Sequence, residues 1–197
     1  MELDMEDNLE FKQEKKNIER VKTGVKGLDE LIQGGFPKGS NIVVTGAPGS
    51  GKSIFAMNYI AQGCKNGEKC LYISVDQIPD DIVEQAMLFN WNFNQWENEG
   101  LVKFVHLNHK SLSEMNTYNE LRRLIQENHY DRLVIDSTTS ITGSPPSIND
   151  LVELTEFIYA VILSPINSRN GQNINSPSTT IFVNDCISTF LLLALAI

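Results

Sequence analysis

Residues 46–53 of the chain are Gly46, Ala47, Pro48, Gly49, Ser50, Gly51, Lys52 and Ser53. They satisfy the spacing G-x-x-x-x-G-K-[ST], in which a glycine-rich turn joins a strand to a helix and wraps the phosphates of a nucleotide. Glycine adopts backbone conformations that other residues avoid, so successive N–H groups can point at the anion, assisted by the helix N-terminus. The stretch predicts a nucleotide-binding α/β fold; the alternative is a glycine-rich turn before a helix without a ligand.

Three side chains carry the predicted chemistry of this loop. Lys52 is expected to contact the β- and γ-phosphates of ATP, and Ser53 to place its hydroxyl on Mg²⁺. The metal also needs a carboxylate, and Asp136 follows the apolar run 133–135, where a Walker B aspartate belongs. A strand followed by an aspartate is also an ordinary way into a loop, so the metal role of Asp136 depends on the phosphate loop.

Apolar runs of strand length alternate with longer segments of helical period along most of the chain. These segments are residues 41–45, 52–64, 69–75, 80–89, 102–107, 113–128, 132–135 and 148–163, and another apolar run follows at 179–183. Such alternation is typical of an α/β fold with a central, mainly parallel sheet flanked by helices. We therefore predict one domain over residues 21–197, preceded by a charged tail at 1–20.

Two parts of the predicted domain are irregular. Residues 164–178 are rich in Asn, Ser, Pro and Gly, a composition that predicts a mobile loop. The last eight residues are all apolar, which suggests a core element without its continuation. The last strands of the sheet are therefore expected to be incomplete.

The chain is acidic, and this restricts its partners. Its 197 residues include 16 Lys and Arg against 25 Asp and Glu, a formal net charge of −9. Such a charge repels a phosphate backbone or an anionic membrane, and the densest basic cluster, at 12–20, is interleaved with glutamates. Nucleic-acid binding is therefore not expected.

The cysteines and the apolar segments indicate a compartment. Cys64, Cys70 and Cys186 are odd in number and lack C-x-x-C spacing, which argues against a disulfide framework or a zinc site. No secretory segment is recognisable, and the longest apolar run, at 190–197, falls far short of the roughly 20 residues that span a bilayer. We expect a cytoplasmic protein without membrane association.

A second pattern precedes the phosphate loop, T-G-x-x-G-L-D followed by G-G-x-P-x-G. Its residues are Thr23, Gly24, Gly27, Leu28, Asp29, Gly34, Gly35, Pro37 and Gly39. Together with the loop, the run 70–75 and the aromatic region 89–93, this pattern resembles the KaiC-like ATPases of the RecA superfamily. The resemblance covers about residues 21–140. It implies a RecA-like P-loop NTPase core, ATP with Mg²⁺ as ligands, and hexameric rings with the active site between subunits.

The chain departs from the family pattern after its second core strand. The resemblance implies two adjacent acidic residues there, one of which polarises the attacking water, but the sequence has Asp76 and Gln77. A shorter acid loses reach, and an amide cannot accept a proton, so hydrolysis should suffer. We take Asp76 and Gln77 as the candidate catalytic positions; the alternative is that Asp76 is a turn residue before a helix starting near Pro79.

A further departure concerns the C-terminal part of the family pattern. The resemblance implies a segment that supplies basic residues to the γ-phosphate of the neighbouring subunit, and nothing similar to it follows up to Ile197. We therefore expect a truncated member of the family. Arginine fingers, the closest analogy, contribute about 10³-fold or more to the rate.

Two other clusters favour structural roles. His106 and His109 lack the third ligand that a metal site needs. The aromatic residues Phe89, Trp91, Phe93 and Trp96 are expected to pack in the core, because no basic residue accompanies them to follow a nucleic-acid backbone.

The sequence therefore favours an ATP-binding regulatory or signalling module with slow hydrolysis. A DNA-dependent ATPase of the RadA or RecA type is one alternative, and an inactive truncated fragment is the other.

Overall fold

The computed structural model describes residues 18–107, 115–136 and 179–184. Its strands are Arg20–Val21 (β1), Phe36–Pro37 (β2), Ser40–Thr45 (β3), Cys70–Ser74 (β4), Val102–His106 (β5), Arg132–Asp136 (β6) and Thr179–Asn184 (β7). Its helices are Leu28–Leu31 (α1), Lys52–Lys65 (α2), Pro79–Met87 (α3), Phe93–Asn98 (α4) and Met115–Asn128 (α5). Each predicted segment within the described residues corresponds to a strand or helix to within a few residues, whereas β1, β2, α1 and α4 were not predicted. The segments predicted at 148–163 and 164–178 lie outside the described residues.

Five of these strands form one parallel sheet in the order β3-β7-β6-β4-β5. The predicted α/β class with a mainly parallel sheet is thereby confirmed. In the register, Val44 pairs with Val183 and Ser74 pairs with Asp136. The carboxyl ends of β3, β7, β6 and β4 therefore meet at one edge of the sheet, which is where parallel α/β folds place their ligands.

The sheet is buried on both faces, because successive side chains of a strand point to opposite sides. Along β4, Tyr72 faces a core that includes residues of α2, α3 and α4, whereas Leu71 and Ile73 face a core with α5. Continuous apolar runs, rather than alternating ones, are what such doubly covered strands require. Helix α2, which follows the glycine-rich loop, is thus anchored on the centre of the sheet.

A buried arginine ties the opposite edge of the sheet together. Arg132, at the start of β6, is fully buried, and its Nε and Nη2 donate to the two carboxylate oxygens of Glu68 at 2.5 and 3.1 Å. Its Nη1 donates to the carbonyls of Lys22 and Tyr59 at 2.8 Å each, and its guanidinium lies 4.4 Å from the centre of the Tyr59 ring. One side chain thus links β6, α2 and the N-terminal segment, and each of these contacts offsets the cost of burying its charge.

This ion pair predicts a loss of stability in acid. Burial alone would raise the pKa of Glu68, but hydrogen bonds from Arg132 and Asn66 outweigh it and hold the pKa below its ordinary value of 4.5. A carboxyl with a lowered folded-state pKa contributes stability above its unfolded pKa and loses it as pH falls through the folded value. We expect Glu68→Gln to cost about 2 kcal/mol at pH 7, and this difference from the wild type to shrink below about pH 4.

Urea unfolding at several pH values measures this difference. Glu127→Gln is the matched control, because Glu127 pairs with Arg123 at 3.3 Å on the exposed surface of α5, where such pairs contribute about 0.3–0.5 kcal/mol. A Glu68→Gln variant with the same stability difference at pH 3 and pH 7 would contradict the role of the ion pair.

The segment before β3 is held by a short hydrogen-bond network. The Asp29 carboxylate accepts from the backbone N–H and the hydroxyl of Thr23 at 2.8 and 2.7 Å, which closes the turn before α1. Strands β1 and β2 then pair antiparallel, with Val21 opposite Phe36. Gly35, next to this pair, has φ +129°, and a Cβ on it would lie 2.2 Å from the carbonyl oxygen of Val21. The T-G-x-x-G-L-D and G-G patterns thus build the connection that leads into the sheet.

The aromatic region differs in part from its prediction. Trp91 and Phe93 are buried, as expected, and Trp96 packs against them, but 44% of Phe89 is exposed. Core packing was therefore the wrong prediction for Phe89. Phe89 follows the last turn of α3. One face of its ring stacks on Trp91, with 4.9 Å between the ring centres, and the other face lies outside the core.

The cysteines and the helix lengths bear on the expected compartment. Cys64 and Cys70 are free and buried, while Cys186 lies outside the described residues. Within the described ranges, no helix has the length and apolar character to cross a bilayer.

Candidate functional site

The glycine-rich loop joins the end of β3 to the start of α2. Gly49 and Gly51 have φ of +78° and +90°, left-handed values that glycine adopts without strain. Gly51 is also the N-cap of α2 and makes no side-chain cap, so no side chain at that position takes up the N–H groups of the first helical turn. A Cβ on Gly46 would lie 2.7 Å from the hydroxyl oxygen of Ser50, so the turn is tight enough to curl its backbone around an anion.

Lys52 folds back over this loop. Its Nζ donates to the carbonyl oxygens of Gly46 and Ala47 at 2.9 Å each, and the residue is only 8% exposed. The ammonium group therefore sits across the turn rather than extending into solvent. A phosphate entering the turn would meet this cation together with the first N–H groups of α2.

Asp136 ends β6 beside the loop and is 7% exposed. Its carboxylate Oδ2 accepts a hydrogen bond from the hydroxyl of Tyr72 at 2.5 Å. Burial and the Asp136 charge raise the pKa of Tyr72 well above its ordinary value, so the phenol keeps its proton and stays the donor. The N–H of Val75 donates to the Asp136 carbonyl at 2.8 Å, so the chain stays paired up to the site.

Asp76 and Gln77 lie in the turn between β4 and α3. The N–H of Gln77 donates to the hydroxyl of Ser74 at 3.1 Å. Ile78 is the N-cap of α3, and Pro79 is the first residue of that helix. Acidic residues in the first turn of α3 suit the positive end of that helix. Because β4 and β3 run parallel in the same sheet, the turn after β4 presents Asp76 and Gln77 at the same sheet edge as the glycine-rich loop.

One cavity of about 390 Å³ joins these groups. The predicted residues that line it are Pro48, Gly49, Gly51, Lys52, Ser53, Asp76, Gln77 and Asp136. The other predicted loop residues, Gly46, Ala47 and Ser50, do not line it. Among the described lining residues, the sequence did not indicate Ile54, Ser74, Gln85 and Val183, nor did it indicate Tyr72 behind Asp136. Ser74 ends β4 and Val183 lies one residue before the end of β7, positions that could have indicated them, whereas Gln85 lies in the middle of α3 without such a signal.

The cavity could hold a nucleotide with Mg²⁺. Mg²⁺ prefers hard oxygen ligands and usually binds one or two carboxylates together with substrate phosphates. Ser53 and Asp136 offer a hydroxyl and a carboxylate on the wall that also carries Lys52 and the start of α2. Within the described residues, no group of three or more His, Cys, Asp or Glu side chains is placed to hold a metal ion.

A sequence profile described as the KaiC ATPase matches residues 21–158. The chain belongs to the KaiC ATPase family. The match includes both glycine-rich patterns, the turn at Asp76 and Gln77, and the strand that ends in Asp136. The resemblance seen in the sequence is thereby confirmed.

Relatives of the KaiC family agree with this assignment. A UPF0273 protein of Thermotoga maritima is 30% identical over 146 residues, which cover 66% of this chain and 60% of the relative. A UPF0273 protein of Methanopyrus kandleri is 29% identical over 146 residues, covering 66% and 58%. The circadian clock protein KaiC3 of Synechocystis is 37% identical over 93 residues, covering 47% and 18%. The chain thus matches about three fifths of the length of the UPF0273 relatives.

A solved KaiC-like structure shares the fold. The KaiC-like protein from the archaeon Pyrococcus horikoshii superposes with a TM-score of 0.65 at 28% identity, covering 86% of this chain and 71% of that one. The RecA-like arrangement expected from the resemblance is therefore confirmed.

A second cavity, of about 510 Å³, lies away from the KaiC-type loop, between β5 and α5. Lys103, His106 and Arg123 contribute to its lining together with apolar and acidic side chains. Within the described part of the chain, the Nδ1 of His106 is buried without a hydrogen-bond partner, and His109 lies outside that part. Among the described residues that line this cavity, there is no glycine-rich turn to wrap a phosphate.

Proposed function

We propose that the chain binds ATP with Mg²⁺ in the 390 Å³ cavity and hydrolyses it slowly. The observation that carries the proposal is the Lys52 ammonium folded over the glycine-rich turn at the start of α2, with the Asp136 carboxylate on the same cavity wall. Membership of the KaiC ATPase family supports the same ligand.

Each group would have a separate task. The loop N–H groups and Lys52 would bind the β- and γ-phosphates, where fixed dipoles and a cation act in a partly dry cavity. Ser53 and Asp136 would hold Mg²⁺, which neutralises phosphate charge. Asp76 is the candidate base for the attacking water, and Gln77 can orient that water but cannot take its proton.

Slow turnover follows from the turn after β4. A base must lie within hydrogen-bond reach of the proton that it removes, and Asp76 is one methylene shorter than glutamate. Neither Asp76 nor Gln77 belongs to the phosphate-binding turn, so the affinity for ATP should be kept although the rate of hydrolysis is reduced. An ATPase of this kind suits a regulatory or signalling role in the cytoplasm, in which the bound nucleotide sets the output.

Assembly into homo-oligomers, as hexameric rings, is part of the proposal and is supported by family membership. A DNA-dependent ATPase is disfavoured, because the net charge of −9 repels a nucleic-acid backbone.

Turnover tests the catalytic part of this proposal. We expect the wild type to bind ATP clearly and to hydrolyse it well below about 1 s⁻¹, the low end of typical enzymes. The double variant Asp76→Glu, Gln77→Glu should raise the rate at least about tenfold, because a positioned general base contributes 10²–10⁴-fold. Phosphate release measures the rate, and calorimetry checks that affinity for ATP changes little.

Asp81→Glu is the control for this experiment. It adds the same methylene at an exposed position of α3 outside the cavity and should leave the rate unchanged. Ordinary enzyme rates in the wild type, or an unchanged rate in the double variant, would show that the catalytic carboxylate lies elsewhere.

A further inference from the structure

A buried tyrosine stands directly behind the Asp136 carboxylate. Tyr72 has no exposed surface, and its hydroxyl donates to Oδ2 of Asp136 at 2.5 Å. A carboxylate that is 7% exposed needs hydrogen bonds to remain charged without bulk water, and this donor comes from the core rather than from the cavity.

The strand register explains why these two groups meet. Tyr72 pairs with Val134, and Asp136 lies two residues further along β6, so both side chains are on the same face of the sheet. The tyrosine side chain is long enough to reach from its own position to the carboxyl end of the neighbouring strand. Its ring packs on Phe104, with 5.7 Å between centres, which limits its movement.

The chemistry of the pair suits the support of a metal ligand. A phenol has one proton to donate, whereas a carboxylate has about four lone-pair positions, so Tyr72 fixes the carboxylate and leaves positions for other partners. The phenol is also neutral. An arginine or lysine in its place would orient the carboxylate equally well but would add a positive charge that repels a divalent cation.

We propose that Tyr72 is a positioning residue that orients the Asp136 carboxylate toward Mg²⁺ of the bound nucleotide. This inference rests on the proposed function, because it assigns a support to the same metal ligand. Groups that orient a metal ligand from behind typically change metal affinity by 10- to 100-fold when they are removed.

The test compares ADP binding with and without Mg²⁺. Calorimetry on the full chain gives the affinity in Mg²⁺ and in EDTA, and their ratio is the Mg²⁺ enhancement. We expect Tyr72→Phe to lower this enhancement about tenfold while the affinity in EDTA stays within about twofold of the wild type. A merely structural role would lower both affinities together or neither. Mn²⁺ in place of Mg²⁺ allows the bound metal to be observed directly by electron paramagnetic resonance.

Tyr59→Phe is the matched control. Tyr59 is equally buried, and its hydroxyl donates to the backbone carbonyl of Thr179 at 3.2 Å, away from the glycine-rich loop. This variant loses a buried hydroxyl, as Tyr72→Phe does, and should be comparably destabilised in thermal unfolding. Its Mg²⁺ enhancement should equal that of the wild type.

A double-mutant cycle with Asp136→Asn separates the possible results. If Tyr72 acts through Asp136, adding Tyr72→Phe to Asp136→Asn should reduce the Mg²⁺ enhancement no further. Additive losses, or a Tyr72→Phe variant with the wild-type enhancement, would overturn the inference and leave the proposed function intact. A wild type that binds no ADP in either condition would refute the proposed function, and the role of Tyr72 with it.

Discussion

Lys52→Ala is expected to weaken ATP binding about 100-fold. Hydrogen bonds to charged groups contribute about 1.5–3 kcal/mol each, and the ammonium would make more than one with the β- and γ-phosphates. A loss of 1.4 kcal/mol is tenfold in affinity, so two such bonds account for the expected effect. The hydrogen bonds that the Lys52 Nζ donates to the carbonyls of Gly46 and Ala47 lie within the loop itself, outside the sheet and the body of α2. The helix and the sheet should therefore stay folded.

Calorimetry with ATP and Mg²⁺ measures this loss, and thermal unfolding checks the fold. Lys65→Ala is the control, because Lys65 is an exposed lysine in the last turn of the same helix. It should change stability by no more than about 1 kcal/mol and leave affinity unchanged. Equal affinity in Lys52→Ala and the wild type would exclude the glycine-rich loop as the phosphate site.

Gly35→Ala is expected to destabilise the fold by more than about 4 kcal/mol, in the range that only a severe steric or packing defect reaches. The added Cβ would lie 2.2 Å from the Val21 carbonyl oxygen and 2.6 Å from its carbon. Both are backbone atoms of β1, so no side-chain rotation can relieve the clash. To accept the methyl group, the β1–β2 pair must separate.

Gly34→Ala isolates the clash from the backbone conformation. Gly34 has φ +105°, similarly unfavourable for alanine, but among the described residues its Cβ would meet only the Cδ of Arg20, at 3.9 Å. We expect it to cost about 1–3 kcal/mol, the range for a strained backbone conformation. Urea unfolding of both variants gives the comparison. Equal losses in the two variants would mean that φ alone, and not contact with β1, requires glycine at position 35.

The sequence predicted best what is encoded locally. The glycine-rich loop and Asp136 each lie directly after an apolar run, so their place at a strand end could be inferred from neighbouring residues. Asp76 was predicted in the same way, through its position after the run 70–75. The cavity brings these groups together because parallel strands end at a common edge.

Contacts between distant segments could not be predicted in this way. Tyr72 reaches Asp136 only because β4 and β6 pair in one particular register, and a shift by one residue would turn the tyrosine to the other face. Arg132 opens an apolar run, and nothing near it in sequence indicates that Glu68 will partner it inside the core. Phe89 was assigned to the core because no basic residue accompanies the aromatic cluster, and that argument does not show which ring lies beyond the end of α3.

The position of β7 has a consequence for folding during synthesis. This strand lies between β3 and β6, and Ser40 pairs with Thr179 although most of the chain separates them. Until residue 184 has left the ribosome, β3 and β6 each present an unpaired backbone edge, the kind of surface that recruits other strands. Bringing Ser40 and Thr179 together also costs conformational entropy before the contacts between β3 and β7 can form, which slows folding. Completion of this sheet therefore has to wait for residues 179–184, whereas a sheet of neighbouring hairpins can form as its strands are synthesised.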